Sequence, residues 1–138
     1  MIEAKNAGQW VVRLQDGEVL VDALRALESD AALILMGIGM LKDVELGFWN
    51  GSEYEVHAYP GPAELVSLQG NVAVDAQGRR IAHVHLCLSQ QDGLVCGGHL
   101  ISATVHNTLE MGLLPLVGIA MERRLEANGL VGLFPRPR

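Results

Sequence analysis

Three of the five histidines and both cysteines fall within one stretch, IAHVHLCLSQQDGLVCGGHL at 81–100. Neutral imidazole is the commonest side-chain metal ligand, and thiolate is its soft alternative. His83 and His85 stand two residues apart. Side chains alternate along a strand, so in an extended segment both project from one face, roughly 7 Å apart. The turn-like Gln90-Gln91-Asp92-Gly93 and the Gly97-Gly98 pair then lead to His99. The whole stretch reads as a β-hairpin that gathers three imidazoles.

What such a hairpin can do depends on its register. With Leu88 opposite Leu94 across a five-residue loop, His83 faces His99, Cys87 shares their face and Cys96 points to the other. A slip of one residue moves every side chain of the partner strand to the opposite face. Cys87 then stands opposite Cys96, and His99 leaves the cluster. One register makes a metal site and the other a cross-strand cysteine pair, while a bulge at Gly97-Gly98 would shift His99 again. Three histidine ligands leave a fourth position for water or substrate, the arrangement of a catalytic rather than a structural zinc site. The plainer alternative is a set of strand histidines that face solvent or are hydrogen-bonded in a polar core. His57 and His106 have no comparable neighbours, and ordinary structural roles suit them.

The elements that position this hairpin are mostly strands. QWVVRLQ at 9–15 alternates, with Trp10, Val12 and Leu14 on one face. Asp16-Gly17 breaks it, and Asp16 is placed to cap a helix over about 18–29 whose Leu20, Ala23, Leu24 and Leu27 fall on one side. The apolar run 31–36 predicts a short strand buried on both faces and ending at Gly37-Ile38-Gly39. Segments 44–49 and 54–59 flank Asn50-Gly51, a tight-turn hairpin signal. Residues 64–74 form a further strand, with Gly70 as a bulge or bend. Beyond the histidine hairpin, 104–111 and 116–121 fit strands, 122–127 fits a helical turn ending at Asn128-Gly129, and the tail 134–138 is expected to fray. The expectation is a mixed α/β (α+β) class: one compact domain with its core over about 9–133, a mainly antiparallel sheet and one principal helix.

Composition narrows the function. The chain of 138 residues is 49% hydrophobic and 19% charged, which fits one globular domain and not a disordered one. With aromatics at only 4%, the core is aliphatic, and few charges remain to cover it, a weak pointer to a buried subunit interface. A net charge of −6 disfavours phosphate binding, because the basic residues come as scattered pairs such as Arg79-Arg80 and Arg123-Arg124. The start MIEAKNAGQW lacks the basic opening and apolar run of a signal peptide. The longest apolar run, 31–38, falls short of the ~20 residues needed to cross a bilayer. A cytoplasmic protein with Cys87 and Cys96 as free thiols is expected, and that setting favours the metal register over the disulfide.

Several motifs in order carry a family resemblance: GPAELVSLQGN at 61–71, HVH at 83–85 and DGLVCGGHL at 92–100, preceded by RLQDGEVLVDAL at 13–24 and GIGMLKDVELGFW at 37–49. Together they resemble the plant and prokaryote conserved (PPC) domain over roughly 11–117, with tail similarity at 129–133. The resemblance implies a mainly antiparallel domain, usually a homotrimer. It also implies that His83, His85 and His99 ligate a divalent metal, most plausibly zinc. Plant members carry DNA-binding AT-hooks before the domain. This chain has no such hook, so the DNA-binding label of the family is an alternative that its charge opposes. A remote fold kinship runs to acetolactate decarboxylase, another three-histidine zinc protein, but fold kinship does not establish a reaction.

The expectation for function is therefore a homotrimeric, metal-binding domain, with metal-dependent catalysis on a small carboxylate or carbonyl substrate as one reading of the site. The alternatives are a DNA-binding or transcription-associated module and a non-catalytic structural trimer. Candidate residues around the metal are Arg13, as a clamp for a substrate carboxylate, and Glu18, Glu64, Ser67 and Asn71. Glu64 is the group expected to fix a histidine tautomer.

Overall fold

Two of the three clustered histidines lie on a strand flanked by two longer ones, and the longer of these carries the third. A computed structural model describes the chain from Met1 to Arg138. Its elements are β1 (Ile2–Asn6), β2 (Gln9–Gln15), α1 (Leu20–Ala26), β3 (Ala32–Trp49), β4 (Tyr54–Tyr59), β5 (Ala63–Val74), β6 (Arg80–Ser89), β7 (Val95–Pro115), β8 (Ile119–Leu125) and β9 (Val131–Pro137). The sheet runs β1-β2-β7-β3-β5-β8-β9, with β4 on β3 and β6 joined to both β5 and β7. Because β3 also pairs with both β5 and β7, the path β3–β5–β6–β7 returns to β3. Every named pairing is antiparallel except one bridge, Val74 with Glu122. Packed inside is a cluster of 23 buried residues to which β2, α1, β3, β5, β6 and β7 all contribute. No helix is long and apolar enough to cross a membrane.

Many sequence expectations hold. β2 has the predicted bounds, and its Trp10, Val12 and Leu14 are buried. The 44–59 hairpin pairs Val44 with Tyr59 and Trp49 with Tyr54. Its turn spans four residues instead of two, because the Asn50 side-chain oxygen accepts from the backbone N–H groups of Ser52 and Glu53.

Other elements differ for local reasons. The helix is shorter, Leu20–Ala26, and Asp16 does not cap it. Asp16 instead accepts the Asn107 N–H at 2.7 Å, and Val19 precedes the helix in an extended conformation. The strand expected over 31–36 does not stop at Gly37–Gly39. It continues through register shifts and Asp43, at φ 51°, to Trp49. It is not buried on both faces, since Leu35 and Met36 are 52% and 44% exposed. The helical turn expected over 122–127 is strand β8, and the frayed tail is strand β9, joined to β8 through Asn128-Gly129. β1 also lies outside the expected core, paired with β2.

Gly70 is a point of close approach, not a bulge: it pairs with both Ile34 and Val84, and the shift between β5 and β6 falls at Leu65/Ser67. A Cβ at Gly70 would run into the carbonyl oxygen of His83. Gly70→Ala is therefore expected to lower stability by about 2–3 kcal/mol, measured by denaturant unfolding, because the obstacle is backbone that cannot step aside.

Candidate metal centre

The hairpin adopts neither register expected from the sequence. Ser89 pairs with Val95, Leu88 with Cys96, and His85 with His99. The turn sets this offset. Asp92 accepts the Leu94 N–H, Gly93 takes φ 82°, and Gln90 bonds Leu94, so Leu94 is drawn into the loop instead of pairing with Leu88. The offset from the metal register is two residues, which keeps every side chain on its expected face. His99 thus faces His85 instead of His83. The cysteine-pair register is overturned: Cys87 lies opposite Gly97, Cys96 packs against the core, and both are free.

Alternation along β6 buries Val84, Leu86 and Leu88 and turns His83, His85 and Cys87 to the other side. His99 is bracketed by two cross-strand partners, His85 on β6 and Gly47 on β3. The three rings lie with centroids 5.1–5.3 Å apart. One nitrogen from each falls within 4.8 Å of the others. Tyr54 stacks on His99 at 4.8 Å, and Trp49 meets the edge of Tyr54. Gly47 makes that stack possible, because a Cβ there would come 2.7 Å from the Tyr54 ring. Gly97 and Gly98 serve close approach as well, because a Cβ there would come 2.8 Å from the Leu86 backbone oxygen or 3.0 Å from that of Gly47.

One residue central to this site escapes sequence reading. Arg123, on β8, is only 6% exposed. Its guanidinium donates to Asn71 Oδ1 at 2.9 Å, to the Val131 carbonyl at 3.0 Å and to His83 Nδ1 at 2.8 Å. A helical reading of 122–127 hides its position. A strand reading puts Met121 and Arg123 together on an inward face, which is the signal that could have found it.

The other candidates divide. Asn71 is the cross-strand partner of His83 and anchors Arg123. Ser67 pairs with Cys87, on the histidine face but further along. Glu64 pairs with Ser89 at the far end of β6, beyond reach of any of the three rings. Arg13 bonds Thr108 Oγ1 on β2's edge of the sheet, and Glu18 holds the Gln15 N–H and the N-terminal ammonium. His57 is exposed on β4, and His106 lies 3.6 Å from Asp16, so neither joins the cluster.

The donor set fits a divalent ion. His83 Nε2 and His85 Nε2 are 3.3 Å apart, which matches the edge of a tetrahedron with bonds of roughly 2.0–2.1 Å. Arg123 sets a condition on that fit. A guanidinium only donates, so Nδ1 of His83 carries the lone pair and Nε2 of the neutral ring carries the proton. Ligation at Nε2 must remove that proton. A ligating imidazole usually donates its second N–H to an oxygen acceptor; here the second contact of His83 is a cation, and Nδ1 of His99 is buried with no partner.

Burial, then the Arg123 charge and the neighbouring rings, holds the His83 pKa down to about 4. Burial likewise lowers that of His99, with His85 and Arg123 adding to it. Between the ordinary 6.5 and about 4, the unfolded chain takes up a proton at His83 that the native chain refuses. Native stability therefore falls as pH drops through that window. The ring is half-buried, so solvent screening reduces the effect to about 1 kcal/mol between pH 7 and 5. Metal-free His83→Gln is expected to lose that much less on acidification, measured by urea unfolding. An NMR titration of metal-free protein with His83 at its ordinary midpoint would contradict the Arg123 contact.

With the geometry established, likeness to known proteins is informative. Residues 1–117 match the model of the Plants and Prokaryotes Conserved domain. Among solved structures, a plant- and prokaryote-conserved protein of Pyrococcus horikoshii is 31% identical, with a TM-score of 0.83, over 94% of this chain and 92% of that one. A metal-containing protein of Archaeoglobus fulgidus is 30% identical, with a TM-score of 0.83, over 97% and 99%. A proposed DNA-binding protein of Ralstonia eutropha has the same fold, with a TM-score of 0.85 at 18% identity over 96% and 94%. No curated protein matches the chain. The motif order, the fold and these matches agree: the chain belongs to the plants and prokaryotes conserved domain family.

Proposed function

We propose that the protein binds a divalent metal ion, zinc being best suited, through His83, His85 and His99, and acts on a small carbonyl or carboxylate compound at an open coordination position. The observation that carries this reading is the convergence of three imidazole nitrogens within 4.8 Å with no carboxylate or thiolate among them. Such a donor set, short of a closed site by one ligand, suits catalysis more than scaffolding. The metal-containing relative from Archaeoglobus fulgidus supports it. A zinc ion supplies Lewis-acid polarisation or an acidified water. The chain's own residues do the rest: the paired strands fix the rings, Tyr54 and Trp49 wall off one side, and Arg123 with Asn71 orients His83.

The test is elemental analysis of protein purified without a nickel column. About one metal per chain is expected, falling to none in the His83→Ala, His85→Ala double variant. Full retention of metal by that variant would refute the assignment.

DNA is the less favoured partner. Lys5, Arg25, Arg79, Arg80 and Arg124 each pair with a carboxylate and Arg123 is buried, which leaves only Arg13, Lys42, Arg136 and Arg138 for phosphates in a chain of net charge −6. Self-association into a trimer belongs to the same proposal. Val11, Met36 and Ile38 are 61%, 44% and 48% exposed on the outer face of β2, β7 and β3, next to Gly112 and Glu110. Contiguous apolar surface of this kind suits a subunit contact. Light scattering should give three times the chain mass, and a monomer at micromolar concentration would reject the trimer.

A further inference from the structure

Beside His83 and His99 lies an open cleft of about 560 Å³, within the range that takes a small organic ligand. Its walls are mainly apolar, from Trp49, Leu100, Ile101, Leu130 and Val131 among others. Its only charged lining residues are two arginines, Arg25 and Arg123, in a chain whose net charge is −6. Arg25 is half-exposed at the rim, 3.9 Å from Asp22. Arg123 is different. It is 6% exposed, no carboxylate approaches it within ion-pair distance, and its three hydrogen-bond partners are neutral acceptors. Its Nε is buried with no partner at all.

A buried guanidinium without a counter-ion is costly, and such charges in native proteins are paired or bind ligands. The missing partner is an anion. One buried cation balances one negative charge, and His83, accepting at Nδ1, adds no second one. That favours a carboxylate, which matches the planar donor geometry of arginine, over a doubly charged phosphate. We infer that the cleft binds a small amphiphilic monocarboxylate, its head group at Arg123 beside the imidazoles and its apolar body against Trp49, Leu100, Ile101 and Leu130. As a substrate class this rests on the metal-centre reading. As a binding site it does not, because the guanidinium and the apolar walls are present without an ion.

The experiment is calorimetric titration of the full chain, treated with chelator and again loaded with zinc, using hexanoate, its neutral amide and inorganic phosphate as probes. Trp49 emission reports the same binding from the cleft wall. Hexanoate is expected to bind in both forms, the amide roughly tenfold or more weaker, and phosphate not detectably. Arg123→Gln should weaken hexanoate by a similar factor. Leu130→Trp, which fills the cleft from its apolar wall, should abolish binding, and it decides the matter together with the amide if Arg123→Gln fails to fold. Equal affinity for amide and carboxylate, preference for phosphate, or no hexanoate binding in either form would each overturn the inference. Hexanoate binding without stoichiometric metal would leave it standing and remove the metal centre alone. Metal without hexanoate binding would do the reverse.

Discussion

The site depends on one constraint: β6 is hydrogen-bonded along both edges. Its outer face carries His83 and His85, and neither can move along the strand without breaking the ladder to β5, to β7, or to both. Because β3 closes the same path from the other side, a shift of one strand is felt by all four. This is costly to build, because backbones must approach closely where the strands bend. The glycines at 70, 97 and 98 sit at those approaches and leave no room for a side chain. In return the three histidines are placed on regular strands by main-chain pairing instead of on flexible loops. Preorganisation of that kind is what a metal or ligand site requires, since little ordering remains to be done at the moment of binding.

Electrostatics gives the site a second character. Half of the basic side chains are paired with carboxylates at the surface, whereas the best-buried one faces three neutral acceptors. Its hydrogen bond to His83 fixes the ring and suppresses its protonation, but it also opposes the tautomer that a ligating nitrogen needs. A metal and Arg123 thus compete for one ring. An anion in the adjoining cleft would ease that competition, by offsetting the guanidinium charge where a cation must sit.

How much of this was legible in the sequence follows from which signals are local. Alternation in β2, the paired strands of the 44–59 hairpin and the H-x-H strand are short-range patterns, and each folded as read, the hairpin's turn length aside. The faces of the histidines were also legible, because a two-residue error preserves parity. The register itself was not, since it was decided by Asp92 and Gly93 within the turn. Asp16 looked like a helix cap but was drawn across the sheet to Asn107. Glu64 looked like a partner for a histidine, yet its position was fixed by a strand pairing that no local pattern reveals. Arg123 was lost for the opposite reason: a plausible helical turn hid a strand whose alternation would have turned it inward.

The β8–β9 hairpin bears on what the histidines can hold. It lies beyond the stretch that matches the family model, pairs with β5 through a single parallel bridge, and packs on a small satellite core of Ala31, Ala73 and Met121. It nevertheless supplies Arg123 and, through Leu130 and Val131, part of the cleft wall. The histidines thus sit on strands closed into the β3–β5–β6–β7 path, while the charge beside them comes from a separate hairpin. A change confined to that hairpin would alter what can sit beside the histidines while leaving untouched the strands that carry them.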